Sequence, residues 1–346
     1  MANQIIVADT YNSAIGIAAR SRAECLNGTV VYASDFTSPF SLLNQLLTSD
    51  VDNILFGWRN ALYDLIIVNS QKRIRKLTKK SSIGFVIPDF LGIKDEFSEI
   101  EKSLINFADY YLVTNQDLLR IYSRKYEGSP PVGILHDLPN IDLIHEFREI
   151  QEIKNQQSAI WVGNSQWGKR LGYRDHKGLE EVILPLQAIC KAHKNCFEIR
   201  IIDSSEKKFT QFEILQEMKK SNFVLQASET EGTGLPIIEG LGLGLIPIST
   251  RVGVVPEIFS EKDSHHIVSR HAIEIHKALH FFACENPNIS SLMIQKFEKY
   301  ISKSIVEIIP KIQRSYFRNY RSYGIFPKVI VCIKWSYRKL RSKSHE

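Results

Sequence analysis

Two glutamates on either side of a glycine-containing loop are the residues whose types and spacing point most directly to chemistry. They are Glu231 and Glu239, in the stretch LQASETEGTGLPIIEG at 225–240. Pro236 suits the first turn of a helix, because its missing N–H costs nothing there. The small residues before it let a ligand approach the helix N-terminus, whose dipole favours an anion such as phosphate. Carboxylates would repel a phosphate, so we expect both glutamates to accept hydrogen bonds from neighbouring sugar hydroxyls.

The elements that must position these residues are short, unalternated apolar runs joined by segments with helical spacing. Such runs predict parallel strands that are buried on both faces of a sheet. The polar stretch EIQEIKNQQS at 149–158 separates two series of these runs and predicts a linker. The simplest architecture is therefore α/β, with two doubly wound units that face each other, and ligands are expected beyond the carboxyl ends of the strands. The runs are QIIVAD at 4–9, TVVYAS at 29–34, NILFGW at 53–58, IGFVIPD at 83–89, YYLVTN at 110–115, VGILHD at 132–137, AIWVGN at 159–164, FEIRIID at 197–203, NFVLQAS at 222–228, LIPIST at 245–250 and HHIVS at 265–269.

The loop and the strand that follows it match a known pattern. E-G-T-G-L-P-I-I-E-G, followed by GLIPISTRVGVVPEIF at 244–259, resembles the donor-binding core of retaining GT-B glycosyltransferases, especially glycosyltransferase family 4. The resemblance implies two Rossmann-like domains that face a cleft. It also implies that Glu231 meets the transferred sugar and that Glu239 grips the ribose of the nucleotide. The loop between them would also bind the donor, through Gly232, Thr233, Gly234 and Leu235. A chance E-x7-E spacing is the alternative, but this order of strand, loop, proline and glutamate argues against it.

A second stretch, WVGNSQWGKRLGYRDHKG at 161–178, resembles the cation-bearing block of the same family. That block has a strand ending in V-G, then a basic residue, then K-G at the start of a helix. The resemblance implies that Lys177, with Lys169 or Arg170, neutralises the donor diphosphate. The alternative interpretation of each residue is a solvated surface cation. The resemblance is specific over residues 158–260 and only architectural over residues 1–157.

The N-terminal half offers fewer matches. Its first loop has one glycine, Gly16, where the family has a glycine pair, and acceptor contacts are predicted there for the first-loop residues Tyr11, Asn12, Ser13 and Gly16. Asp89 follows a strand where the family has a histidine, so it is the predicted acceptor-side polar group; the alternative is that it caps the following turn. His136 and Asp137 also follow a predicted strand and are interpreted as structural or cleft-lining.

Several classes of function are disfavoured. The five cysteines show no C-x-x-C spacing, which predicts free thiols in a reducing compartment. No H-E-x-x-H occurs, and the one D-x-D, Asp50-Val51-Asp52, precedes a strand instead of following it. We therefore expect metal-independent chemistry without a cofactor. Neither a membrane-spanning run nor a signal peptide is evident, which favours the cytoplasmic side of the membrane.

Residues 311–346 form a strongly basic tail, with ten Lys or Arg against one acid, Glu346. Apolar positions from Phe326 to Leu340 repeat with spacings of three and four, which predicts an amphipathic helix. We expect this tail to attach the protein peripherally to an anionic membrane, at the inner face of the cell membrane. The alternatives are that residues 312–323 cross back onto the N-terminal domain, and, less favoured, that the tail binds nucleic acid.

Together these features predict an acceptor-binding domain at 1–155, a donor-binding domain at 156–310 and the tail. The expected activity is transfer of a sugar from a nucleotide-diphosphate donor to a glycan or lipid-linked acceptor, with retention, in cell-surface polysaccharide biosynthesis. Glu231, Lys177 and Asp89 are the expected catalytic residues, and partner transferases are expected. Two alternatives stay open: a nucleotide-sugar epimerase of the same shape, and a catalytically silent subunit that docks a partner transferase.

Overall fold

A five-stranded and a four-stranded sheet, both fully parallel, organise the chain into two units. The structure is a computed structural model that describes residues 4–11, 13–89, 95–125, 130–149, 157–169, 172–192, 197–284 and 289–312. The first unit extends from Met1 to Leu138 and includes the last turns of the final helix from Ser304, whereas the second extends from Pro139 to Lys303. The predicted α/β fold of two parallel-sheet units is confirmed. The predicted donor and acceptor domain limits, which meet at 155 and 156, stay predictions.

The first sheet has the strand order β2-β1-β3-β4-β5. Four of its five strands are mostly apolar and buried, as expected when helices cover both faces, whereas the edge strand β2 is only partly buried. Leu43, Phe56, Phe85 and Tyr122 belong to the core between the sheet and one helical layer. The elements of this unit are β1 (Gln4–Ala8), α1 (Ala14–Leu26), β2 (Thr29–Tyr32), α2 (Pro39–Thr48), β3 (Asn53–Phe56), α3 (Arg59–Val68), α4 (Gln71–Lys80), β4 (Ser82–Ile87), α5 (Asp95–Phe107), β5 (Tyr110–Val113) and α6 (Gln116–Lys125).

The second sheet has the order β7-β6-β8-β9. Trp161, Ile183, Leu225 and Leu279 belong to its core. A one-turn π-helix, Leu179–Ile183, leads directly into α8. The elements of this unit are α7 (Ile141–Glu149), β6 (Ser158–Gly163), α8 (Leu184–Ala192), β7 (Glu198–Asp203), α9 (Gln211–Lys219), β8 (Phe223–Gln226), α10 (Leu235–Gly242), β9 (Ile246–Ser249), α11 (Val255–Ile258), α12 (Ala272–Ala283) and α13 (Ile289–Ile312), the last of which ends in the first unit.

Two predicted strands are wrong. VGILHD at 132–137 lies beside β5 but contributes only the bridge between Ile134 and Val113. HHIVS at 265–269 contributes only the bridge between Ile267 and Ser249, because its two histidines end a 3-10 helix. Both segments contain adjacent apolar residues, which favoured a strand. Each follows the last strand of its sheet in the sequence, however, and pairs only with that strand.

The predicted tail lies outside the described residues beyond Ile312. None of the helices in the described part of the chain is both long and apolar enough to cross a bilayer.

Candidate functional site

The second sheet reverses its strand order between β6 and β8, which are neighbours although β7 lies between them in the sequence. In open parallel sheets the crevice for a ligand lies at such a reversal, beyond the carboxyl ends of the two strands. The segments that leave β6 and β8 there carry the two blocks singled out in the sequence, one with Lys177 and one with Glu231.

The loop after β8 leads into α10 through Gly232, Thr233 and Gly234, and α10 begins at Leu235 as predicted. Gly234 adopts φ 80°, and a Cβ there would lie 2.8 Å from the Gln226 side chain, so this position requires glycine. The segment that follows β9 packs against the same loop at Gly253, because the backbone N–H of the next residue, Val254, donates to the Thr233 carbonyl at 3.2 Å. The glycines and the turn thus fix the backbone path that carries Glu231 to the N-terminus of α10.

Lys177 and Glu231 form an ion pair between Nζ and Oε1, although 54 residues separate them in the sequence. Their side chains are only 16% and 13% exposed. The Ser228 hydroxyl donates to the same Oε1 at 2.6 Å. Burial alone would raise the pKa of Glu231, but the Lys177 ammonium and these two hydrogen bonds hold that pKa below its usual value. The site therefore contains a fixed carboxylate beside a fixed ammonium group at the positive end of a helix.

The segment on both sides of Lys177 is held by a close backbone approach and by partly buried polar contacts. Gly178 adopts φ 76°, and a Cβ there would lie 2.4 Å from the Ala227 carbonyl oxygen, so the loop crosses the end of β8 too closely for any side chain. Arg270 joins the two segments: its Nε donates to the Ala227 carbonyl at 2.9 Å, and its Nη2 donates to the Asp175 carbonyl. The buried Asp175 carboxylate accepts from the backbone N–H of Glu181 at 2.8 Å. These contacts place Lys177 opposite Glu231.

Aromatic rings surround the residue next to Lys177. The buried His176 ring packs against Trp167 and Tyr173, with centroid separations of 4.7 and 4.8 Å. Burial and the Lys177 ammonium lower the pKa of His176 to about 4, so the ring is neutral at pH 7. The Lys177 Nζ also lies 5.0 Å from the centroid of Trp167, a cation–π distance. The lysine is therefore supported by one carboxylate and one aromatic face.

Glu239 lies in α10, where only 5% of it is exposed. Its Oε1 accepts a hydrogen bond from Gln211 Nε2 at 2.9 Å, at the start of α9. Burial raises the pKa of Glu239 to about 7, against a weaker lowering by that hydrogen bond. The two glutamates therefore differ: Glu231 is held ionised, whereas Glu239 is poised to gain or lose a proton near neutrality.

Lys169, one of the two other predicted cations, is not part of this arrangement. Lys169 pairs with Glu180 at 3.2 Å, and both side chains are partly open to solvent. Arg170 lies outside the described residues. Among the described residues, the structure brings Lys177 but not Lys169 to Glu231.

The first loop of the other unit is held by its own contacts. The Ser13 hydroxyl caps α1 by accepting from the Gly16 backbone N–H at 2.9 Å, and it donates to the Asp9 carboxylate. A Cβ on Gly16 would lie 1.9 Å from the Thr10 carbonyl oxygen, so the close approach of α1 to this loop requires glycine. Tyr11 is exposed, and the Arg20 guanidinium lies 3.9 Å from its ring centroid. Asn12 lies outside the described residues.

Asp89 follows β4 at the same carboxyl edge as this loop and is buried. Asp137 forms an ion pair with the buried Arg22 of α1, which supports the structural interpretation of His136-Asp137. Among the described residues, no group of three or more His, Cys, Asp or Glu side chains could hold a metal ion.

Sequence reasoning missed the partners that hold the predicted residues in place. Ser228 was visible as the polar residue that ends a strand, and Gln211 directly follows the cap Thr210 of a T-x-x-E capping box. Trp167, Asp175 and Arg270 gave no such signal, because their contacts join distant segments.

Comparison with known proteins places this geometry in context. No protein-family model and no curated protein matches the chain. A UDP-forming alpha,alpha-trehalose-phosphate synthase from Burkholderia xenovorans matches with a TM-score of 0.62 and 10% identity, over 91% of this chain and 99% of that one. The chain has the GT-B fold. The Anabaena protein HepE, in complex with UDP and glucose, matches with a TM-score of 0.59 and 12% identity over 90% and 98% of the chains. A trehalose-6-phosphate synthase studied for glycosyl transfer with retention matches with a TM-score of 0.58 and 11% identity over 88% and 95%.

Proposed function

We propose that this protein is a glycosyltransferase that uses a nucleotide-diphosphate sugar as its donor. The observation that carries the proposal is the Lys177–Glu231 pair, which lies between the segments that leave β6 and β8 and beside the N-terminus of α10. A cation and a helix N-terminus suit a diphosphate, and two carboxylates suit sugar hydroxyls. UDP and glucose in the complex of a neighbour with this fold support the same ligand class.

The residues have separate roles in this proposal. Donor diphosphate competes with Glu231 for the Lys177 ammonium, and Trp167 keeps the lysine in place during the exchange. Glu231, released from the pair but still held by Ser228, accepts hydrogen bonds from the transferred sugar. As the bond to the leaving diphosphate breaks, negative charge grows on it, and Lys177 with the α10 N-terminus stabilises that charge. Glu239, as a carboxylate, accepts hydrogen bonds from the ribose hydroxyls. These bonds replace part of its hydrogen bonding with Gln211.

The finer parts of the proposal rest on the resemblance to glycosyltransferase family 4. Transfer proceeds with retention by attack on the face of the sugar that the diphosphate leaves, and the leaving phosphate takes the acceptor proton. The first unit binds a glycan or lipid-linked acceptor, with Asp89 as its polar group. The reaction needs no metal and serves cell-surface polysaccharide synthesis. It takes place on the cytoplasmic side of the membrane, where the basic tail and partner transferases hold the protein.

The test is a calorimetric panel of nucleotide-diphosphate sugars, followed by NMR detection of donor consumption and of the anomeric configuration of the product. Glu231→Gln should keep the fold and lose at least about tenfold in donor turnover, because a charge-assisted acceptor is replaced. Glu229→Gln is the matched control, since Glu229 lies two residues earlier in the same loop and is exposed.

The outcomes separate the alternatives. No binding of any donor by the unmodified chain would contradict the proposal. Donor binding with neither hydrolysis nor transfer would favour a silent subunit, and formation of an epimeric nucleotide sugar would favour an epimerase. Equal losses in the Glu231 and Glu229 variants would remove Glu231 from the site.

A further inference from the structure

Helix α4 concentrates positive charge on the first unit. Six of the ten residues in QKRIRKLTKK are Lys or Arg and none is acidic, so the helix carries +6, the same as the net charge of the whole chain. The apolar side of the helix packs against the rest of the unit, because Ile74 and Leu77 are buried. The charge therefore lies on the outward side of a helix that is anchored to the unit.

The basic side chains form one face. Lys72, Arg75, Lys76 and Lys79 are exposed and follow the i, i+3, i+4, i+7 spacing that aligns side chains along a helix. We call these four residues the α4 face. Among the described residues, none of the ion pairs involves Lys72, Lys76 or Lys79. Lys80 differs, because its Nζ donates to the Leu47 carbonyl at 3.0 Å.

Lys79 lies in the last turn, where the helix dipole favours a cation, but the other charges of the face do not stabilise the helix that carries them. Like charges three and four residues apart repel each other, and Lys72 lies in the first turn, where the helix dipole disfavours a cation. The first turn has no acidic residue, and Ser70 makes no capping hydrogen bond through its side chain. In α6, by contrast, Arg120 is paired with Asp117 at 2.7 Å. A negatively charged partner outside the chain accounts for the α4 face better than helix stability does.

Two exposed apolar side chains lie near the N-terminal end of α4. Phe40, at the start of α2, is 46% exposed, and the Arg73 guanidinium lies 3.9 Å from its ring centroid. Val68, at the end of α3, is 54% exposed. The Asn69 Nδ2 donates to the Pro39 carbonyl at 3.3 Å and so joins the ends of these two helices. Apolar and aromatic side chains next to lysines are typical of surfaces that bind lipid headgroups.

We propose that the α4 face, with Phe40 and Val68, binds the surface of an anionic lipid membrane. Charge complementarity selects a negative partner. A nucleic-acid base could stack on Phe40, but the exposed aliphatic Val68 beside it favours a lipid surface, which can bury both side chains. Lysines also act as point charges without the planar fork that arginine presents to one phosphate. The proposal does not depend on the glycosyltransferase assignment, because none of its residues belongs to the second unit.

The experiment is co-sedimentation of the full chain with phosphatidylcholine vesicles that contain graded fractions of phosphatidylglycerol, at low and high salt. The triple variant Lys72→Gln, Lys76→Gln, Lys79→Gln should lower the partition coefficient on the anionic vesicles by about 100-fold, since each basic residue near an anionic surface contributes about fivefold. Phe40→Ser should lower it by a smaller factor. Replacing the same three lysines by arginine should keep binding, because the charge stays.

The matched control is Lys191→Gln, Lys277→Gln, Lys303→Gln, which removes the same charge from exposed positions of the second unit. Equal losses in the two triple variants, or none in either, would overturn the proposal. So would binding of a single-stranded oligonucleotide through the α4 lysines without binding to anionic vesicles. Donor affinity is measured in every variant and should not change. Failure of the membrane proposal would therefore not count against the proposed function, which donor binding tests separately.

Discussion

Each unit contains a buried ion pair, but the two pairs lie in different places. In the first unit Arg59 of α3 contacts Glu101 of α5 at 2.8 Å, and the Tyr122 hydroxyl of α6 donates to the same carboxylate oxygen at 2.9 Å. In the second unit Lys177 and Glu231 are about as buried, but they come from loops that follow two neighbouring strands. One pair joins helices; the other lies where parallel sheets bind ligands.

The difference shows that burial alone does not separate an ion pair that joins helices from one at the edge of a sheet where ligands are expected. Glu101 of α5 has partners on two other helices, Arg59 on α3 and both Tyr122 and Lys125 on α6. Lys177 and Glu231 lie at the reversal of strand order, next to a helix N-terminus, so an anion can replace the carboxylate as the partner of the ammonium. Under the proposed function, the same chemistry stabilises the fold in one place and contributes to a binding site in the other.

The largest expected effect comes from breaking the structural pair. Glu101→Ala leaves the Arg59 guanidinium buried without its carboxylate, so we expect the free energy of unfolding to fall by about 3–5 kcal/mol. Urea denaturation followed by circular dichroism measures this. Asp117→Ala, which breaks an exposed pair with Arg120, should cost less than about 1 kcal/mol. Equal losses would mean that the buried pair contributes no more than a surface pair.

Lys177→Ala tests the other pair. Donor binding should weaken by roughly 10- to 100-fold, which corresponds to about 1.5–3 kcal/mol for a charge-assisted contact. The loss of stability should be smaller than for Glu101→Ala, because Glu231 keeps the Ser228 hydrogen bond and can take up a proton. Calorimetry and urea denaturation of the same samples measure both quantities, with Lys277→Ala as the control. A large loss of stability with normal donor affinity would make this pair structural too.

The buried Glu239 predicts that donor affinity depends on pH. If the ribose requires the carboxylate, a pKa of about 7 leaves about one tenth of the sites competent at about pH 6, so the Kd should be about tenfold weaker there than at about pH 8. Affinity therefore rises with pH and levels off above the pKa. Calorimetry across this range is the measurement, and Glu239→Gln should bind more weakly with a flat profile. A flat profile in the unmodified protein would exclude this role.

The smallest expected effect separates capping from acceptor binding in the first loop. Ser13→Ala removes the cap of α1 and should lower the free energy of unfolding by about 1 kcal/mol, with donor affinity unchanged. Ser13→Thr keeps an oxygen in the capping position and should recover most of the stability. Unchanged stability together with a loss of acceptor turnover would instead place Ser13 in contact with the acceptor.

Much of the fold was predictable because a strand that is buried on both faces of a parallel sheet has a short continuous run of apolar residues. Nine of the apolar runs are strands of the two sheets, and α10 begins where Pro236 and the glycine loop predict. The two wrong strands, at 132–137 and 265–269, also contain adjacent apolar residues, Ile134-Leu135 and Ile267-Val268. Whether such a run extends a sheet depends on partners that its own composition does not reveal.

The sequence by itself determined the local geometry of the candidate site: the strand ends, the loop that requires glycine, and the positions of Glu231 and Glu239. Only the tertiary structure decided that Lys177, not Lys169, meets Glu231, and that Gln211 contacts Glu239. It also decided that one carboxylate is held ionised while the other has a pKa of about 7. The physical reason is that backbone conformation and apolar patterning act over a few residues, whereas ion pairing and desolvation depend on groups brought together from distant parts of the chain.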